Sequence, residues 1–160
     1  MRIIVISDTH GDHRSLEKVI LRNTDADWIF HLGDGERELD EFLLYHPELA
    51  PKVIHVAGNC DFNSLSPEYA VIPVMDHKIL ATHGHLYGVR VSLGMLKMLA
   101  KENGCDIILF GHTHMRCERC EDGFYIMNPG SASCPRDGLP PSFGHIDISD
   151  AGVVLNVTSI

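Results

Sequence analysis

Two short patterns have the residue types and spacing of metal ligands: Asp8-x-His10 early in the chain and His112-x-His114 late in it. Between them come Gly33-Asp34, Gly58-Asn59-Cys60-Asp61 and Thr82-His83-Gly84-His85. Carboxylates, imidazoles and a carboxamide oxygen all ligate divalent cations. A mixed set of this kind suits Mn, Fe, Zn, Co or Ni better than Mg or Ca. In extended chain, residues two apart lean the same way, so one cation can take both members of each pair. Glycines at 33, 58, 84 and 111 tolerate unusual backbone angles and let a metal or phosphate approach closely. Taken singly these patterns are common: a lone Asp-x-His is usually a solvated turn. Their occurrence together and in order is what points to a metal site.

The elements that must position them are legible from periodicity. Residues 2–7 (RIIVIS) read as a strand buried on both faces. Residues 13–23 and 36–46 carry apolar side chains at helical spacing, and residues 27–32 and 52–57 read as strands. This is a βαβαβ start with short links, hence a largely parallel sheet with helices on its faces. Residues 69–75 and 78–83 read as a hairpin around Asp76-His77, residues 91–102 as a helix stopped by Gly104, and residues 106–110 as a buried strand. Shorter pieces near 115–120, 124–127, 143–148 and 152–158 read as antiparallel strands. The stretch from Asn128 to Pro141, rich in Pro, Gly and Ser, is expected to be the most mobile. Each pattern of interest then falls where an apolar strand ends, and in an open α/β sheet ligands bind beyond the carboxyl ends of the strands.

The chain has 160 residues, 44% of them hydrophobic, which fits one domain spanning 1–160 with its own core. No apolar run approaches the length of a membrane span, and MRIIVISDTH lacks the features of a secretory signal. A cytoplasmic location is expected. The formal charge of −9 argues against stable nucleic-acid binding. The five cysteines, an odd number, argue against a disulfide framework. Cys117-x-x-Cys120 lacks a partner pair for zinc. It sits on an expected strand, where residues three apart face opposite sides.

The series Asp8-x-His10, Gly33-Asp34, Gly58-Asn59-x-Asp61, His83-Gly-His85 and Gly111-His112-x-His114 resembles the motif series of the calcineurin-like metallophosphoesterases. More narrowly, the chain is similar to their small one-domain branch of YfcE-type phosphodiesterases, whose fold the Vps29-type retromer subunit shares. Asn128-Pro129-Gly130-Ser131 is similar to a loop of that branch. The resemblance implies an α/β fold: a two-sheet β-sandwich flanked by helices. It also implies two divalent cations, with Mn2+ the first choice and Ni2+, Fe2+, Zn2+, Co2+ or Mg2+ alternatives. One would be held by Asp8, His10, Asp34 and His114, the other by Asp34, Asn59, His83 and His112, with Asp34 bridging. A water activated between the cations would hydrolyse a small phosphodiester. Where many members carry a histidine that assists the leaving group, this chain has Cys60. His85 then becomes the candidate acid, or else a histidine that supports the ligands through hydrogen bonds; Asp61 is expected to orient its loop. Asp34, Asn59 and His85 are thus the expected catalytic residues. Phosphomonoester hydrolysis is one alternative. A protein-interaction scaffold with a lapsed metal site is another, although every ligand position is filled. Relatives suggest a homo-oligomer.

Overall fold

The apolar run at the N-terminus forms β1 (Arg2–Ile6) in the computed structural model, which describes all 160 residues. Its side chains alternate between two interiors, Ile3 and Val5 entering one apolar cluster, Ile4 and Ile6 another. A strand buried on both faces can carry no polar residue until it ends. Asp12 then caps α1 (His13–Leu21), its carboxylate accepting from the Ser15 amide at 3.1 Å and the Ser15 hydroxyl at 2.7 Å. β2 (Trp28–His31), α2 (Glu36–Tyr45) and β3 (Val53–His55) complete the expected βαβαβ start, with β1, β2 and β3 paired in parallel.

The hairpin follows as β4 (Tyr69–Val74) and β5 (His77–Thr82). α3 (Gly94–Glu102) starts later than the apolar spacing suggests, because the amides of Val91 and Ser92 bond back to the Gly88 carbonyl in a turn. The remaining strands are β6 (Ile107–Leu109), β7 (Arg116–Glu121), β8 (Phe124–Pro129), β9 (Ser142–Ser149) and β10 (Gly152–Ser159).

Two five-stranded sheets result, ordered β10-β9-β1-β2-β3 and β4-β5-β6-β8-β7. They pack face to face over a shared interior that includes Ile3, Val5, Phe30, Ile79, Ile107, Met127 and Ile146. Leu16, Ile20, Leu39 and Phe42 of α1 and α2 cover the outer face of the first sheet, and Leu96 and Ala100 of α3 that of the second. This is the two-sheet sandwich flanked by helices that the motif resemblance implies. The tail is not wholly antiparallel. β7 pairs antiparallel with β8, and β9 with β10, but β8 runs parallel to β6. The reason is order in space: β7 takes the sheet edge and β8 returns between it and β6. Hence β1, β2, β3, β5, β6 and β8 all lead into loops that converge on one rim. No helix is long and apolar enough to cross a membrane.

Candidate metal centre

The loops after β1, β2, β3, β5 and β6 bring the expected ligands together. His114 Nε2 lies 3.1 Å from Asp8 Oδ1 and 3.2 Å from His10 Nε2. Asp34 Oδ2 sits between two imidazoles, 3.7 Å from His10 Nε2 and 3.4 Å from His83 Nε2. Asn59 Oδ1 lies 3.2 Å from His83 Nε2. His112 is adjacent, its ring centroid 5.1 Å from that of His83 and its amide donating to Asp8 Oδ2 at 3.1 Å. His85 stands at the rim, 5.3 Å from His83 and 6.2 Å from His112 between ring centroids, and its buried Nδ1 has no hydrogen-bond partner.

Three features fit this cluster to cations. His83 Nδ1 faces the Leu32 carbonyl at 2.8 Å and His114 Nδ1 faces the Cys134 carbonyl at 2.7 Å. A carbonyl can only accept, so each Nδ1 carries hydrogen and each neutral ring turns an Nε2 lone pair inward. Those lone pairs meet carboxylate oxygens and another imidazole nitrogen. Asp8 Oδ1, fully buried, accepts no well-formed hydrogen bond. Acceptors facing acceptors need a positive charge between them. The local field agrees. Burial pushes the Asp34 carboxyl up, but the hydrogen bond and charge of His83 and the Cys60 amide outweigh it and hold the group far below the carboxylate range. Asp8 is likewise lowered despite burial, chiefly by His114 and His83. His114 is raised by Asp8, and His83 is raised because Asp34 and Asp8 outweigh its burial.

A further set of residues holds the ligands. Asp61 accepts four backbone amides: Asp34 at 2.8 Å and Gly58 at 2.7 Å on Oδ2, Gly35 at 2.9 Å and Glu36 at 3.0 Å on Oδ1. It thereby caps α2 and ties the Asp34 loop to the Asn59 loop, the orienting part expected of it. Four more residues, absent from the ligand motif patterns, act as fasteners. The Ser7 hydroxyl donates to Asp8 Oδ2 at 2.6 Å, and Ser131 and Ser133 donate to the Asp8 carbonyl at 2.7 and 3.0 Å. Buried Glu38 accepts from the Thr9 hydroxyl at 2.6 Å and the Gly11 amide at 2.7 Å.

Several expectations need correction. The Asp-x-His and His-x-His pairs are not extended: Asp8, His10, Asp34, His112 and His114 all have positive φ, between 44° and 66°. Left-handed backbone turns each side chain inward, where an extended segment would carry it past the rim. Gly58 and Gly111 leave room for neighbouring loops, not for a ligand. A Cβ on Gly58 would lie 2.3 Å from the Asp34 amide nitrogen, and one on Gly111 would lie 2.0 Å from Ser7 Oγ. The 128–141 stretch is not loose at its start. Asn128 is buried, Nδ2 donating to the Gly111 carbonyl at 2.8 Å, and Ser131 and Ala132 are buried behind Asp8. Cys60, given no metal role from the sequence, has its sulfur grouped within ligand reach of His10 and Asp34. Cys117 and Cys120 lie on β7 as expected, the first partly buried against the α3 cluster and the second exposed.

Known proteins resemble the chain over nearly its whole length. The family model described as the calcineurin-like phosphoesterase superfamily domain matches residues 1–151. A probable metallophosphoesterase of Bacillus subtilis, YsnB, is 35% identical over 156 residues, covering 96% of this chain and 89% of that protein. The Escherichia coli phosphodiesterase YfcE is 32% identical, covering 100% of this chain and 95% of its own. Among solved structures, a Streptococcus pneumoniae protein described as a predicted phosphoesterase superposes with a TM-score of 0.85 at 32% identity, covering 99% of this chain and 88% of that one.

Proposed function

The chain belongs to the calcineurin-like phosphoesterase superfamily, and from that premise we propose that it is a metal-dependent phosphodiesterase acting on small diesters, with residues 1–160 as one domain. Asp8, His10, Asp34 and His114 would hold one divalent cation, and Asp34, Asn59, His83 and His112 the other, Mn2+ being the first choice. The observation that carries this reading is the place of Asp34 Oδ2, 3.7 Å from His10 Nε2 on one side and 3.4 Å from His83 Nε2 on the other. A carboxylate flanked in this way suits a bridge. Bound cations would supply Lewis acidity toward a phosphoryl oxygen and bring the pKa of a water near neutrality.

The chain's own residues do the rest. Asp61 and Glu38 fix the loops so that the ligands are preorganised before substrate arrives. Cys60, where many family members carry an acid, offers only a thiol, a weak hydrogen-bond donor. His85, at the rim beside His112, is the candidate to hand a proton to a leaving oxygen, and burial with the charge of His83 lowers its pKa, which makes its proton easier to give and harder to hold. Diesters are favoured over monoesters because the similar Escherichia coli protein is described as a phosphodiesterase. The interaction-scaffold reading has less support, since no ligand position has been lost.

The test is metal analysis of the purified protein, then assay of chelated and reloaded protein on bis(p-nitrophenyl) phosphate and p-nitrophenyl phosphate with Mn2+, Zn2+, Ni2+ and Mg2+. Activity should vanish on chelation, return with metal, and favour the diester. Full turnover by protein shown to contain no metal would end the proposal.

A further inference from the structure

Two clefts lie beside loops of the candidate centre, and their charges are opposite. One, about 470 Å³, is lined by Glu36, Asp40, Glu41 and Asp61 with Arg37 and the apolar Leu44 and Phe62. The other, about 540 Å³, is lined by Arg90, Arg116, Arg119 and Arg136 with apolar Leu93 and Phe110 among its walls, and no carboxylate lines it. In a chain of net charge −9 with 13 basic residues, four arginines in one hollow is a concentration that calls for a ligand. Arginines left unpaired repel one another, and an anion between them removes that cost.

Three of the four heads are free to bind. Arg116 is committed, its guanidinium donating to the Pro140 carbonyl with Asp137 3.7 Å away. Arg90 and Arg136 form no ion pair, and the nearest carboxylate to Arg119 is Glu121 at 4.0 Å. The cleft borders the loop that carries His112 and His114. Thr113 and Met115, which line it, alternate with His112 and His114 on one loop. The Arg136 amide donates to the His114 carbonyl at 2.9 Å.

Apolar wall and guanidinium rim together specify the occupant. Guanidinium planes stack on aromatic rings and grip phosphate oxygens two at a time. A hollow of this size takes one small organic group. We propose that this cleft seats one ester arm of the substrate, and that the arm is nucleotide-like: a planar, largely apolar body carrying a second phosphate beside the scissile diester. The inference rests on the phosphodiesterase reading and names its substrate class.

The p-nitrophenyl ester of thymidine 5′-phosphate, made with and without a 3′-phosphate, separates the arm from the reaction. With Mn2+-loaded enzyme, the 3′-phosphate should raise kcat/KM by about tenfold or more, the value of one charge-assisted contact. In Arg119→Glu and in Arg136→Glu that ratio should fall towards one, while Arg14→Glu, outside the cleft, should keep it. In parallel, calorimetry on the chelated full-length chain should detect thymidine 3′,5′-bisphosphate binding, and the Arg119→Glu, Arg136→Glu pair should lose it. Equal kcat/KM for the two probes in the wild type, or a ratio that survives both charge reversals, would overturn the proposal. If no diester turned over with any metal, the phosphodiesterase reading would fall. The bisphosphate titration would still decide the cleft: binding lost in the double variant supports an anion seat, and no binding rejects it.

Discussion

Asp61→Asn is the substitution that asks most of the fold's design. The side chains are isosteric, but the carboxylate accepts four amides, two on each oxygen. An asparagine keeps one carbonyl oxygen and turns an NH2 towards the other two amides. Two charge-assisted bonds are then lost with their donors left facing a donor. At about 1.5–3 kcal/mol for each bond to a charged group, the cost is about 3–6 kcal/mol. The negative charge at the N-terminus of α2 accounts for about 0.3–1 kcal/mol more. Against a typical net stability of about 5–15 kcal/mol, that is a large fraction. Urea unfolding of chelated protein should show the midpoint falling by roughly 2 M, taking a slope of about 2 kcal/mol/M. The Asp34 and Asn59 loops lose their tie together, so metal content should fall as well. pH gives a second check. Burial raises the Asp61 carboxyl, but its backbone amides outweigh that and set it below its ordinary value. The stability it contributes is therefore fully present above the unfolded carboxylate value of about 3.9 and fades as pH drops through the lower folded one. The gap between wild type and variant should close in that acid window and stay constant above it. Asp12→Ala, which removes a remote helix cap, should cost about 1 kcal/mol and leave metal content alone. A midpoint for Asp61→Asn within 0.5 M of wild type (roughly 1 kcal/mol at that slope), with metal retained, would refute the four-amide argument.

Asp34→Asn should lower both metal content and rate more than Asn59→Ala or His114→Ala, with kcat/KM down by about 10²–10³-fold if several kcal/mol of metal-borne charge stabilisation go with it; retention of both metals and most of the rate would show that Asp34 does not bridge. Gly58→Ala drives a Cβ to 2.3 Å from the Asp34 amide nitrogen, so it should cost about 1–3 kcal/mol in unfolding experiments and reduce metal content, whereas a neutral result would mean that the loop yields. Rates across diesters should depend steeply on leaving-group acidity, and His85→Ala should slow poor leaving groups about 10²-fold more than good ones if His85 is the acid; uniform slowing would assign it a supporting part instead. Cys117→Ser with Cys120→Ser should leave metal content and activity unchanged, and loss of one zinc per chain would contradict this.

The candidate ligands are legible because each belongs to a local pattern at the end of an apolar strand, and strand ends can be read from hydrophobic runs. What escaped reading is non-local. Ser131 and Ser133 hold the Asp8 carbonyl from more than a hundred residues away, and nothing near Asp8 announces them. The glycine patterns at 58 and 111 stand out in the sequence, but their reason does not, since the crowding atoms belong to Asp34 and Ser7, brought there by the fold. The Pro-Gly-Ser composition after Asn128 suggested looseness. Burial of Asn128, Ser131 and Ala132 against the Asp8 segment opposes that, because tertiary contacts override local composition. The parallel placement of β8 beside β6 was hidden for the same reason: strand order is a property of the sheet, not of either segment.

Five of the eight non-glycine residues with left-handed backbone are the proposed ligands Asp8, His10, Asp34, His112 and His114. Such backbone costs an L-residue on the order of 1–2 kcal/mol each, and glycine escapes that cost. The rim is thus a place where selection for catalysis and selection for thermal stability pull in opposite directions. His10→Gly or His112→Gly should ease the backbone while deleting a ligand, so an inactive protein could melt later than the active one once both are chelated. A descendant released from catalysis would gain by drifting towards glycine or asparagine at these five positions, and would become sturdier as it lost its chemistry.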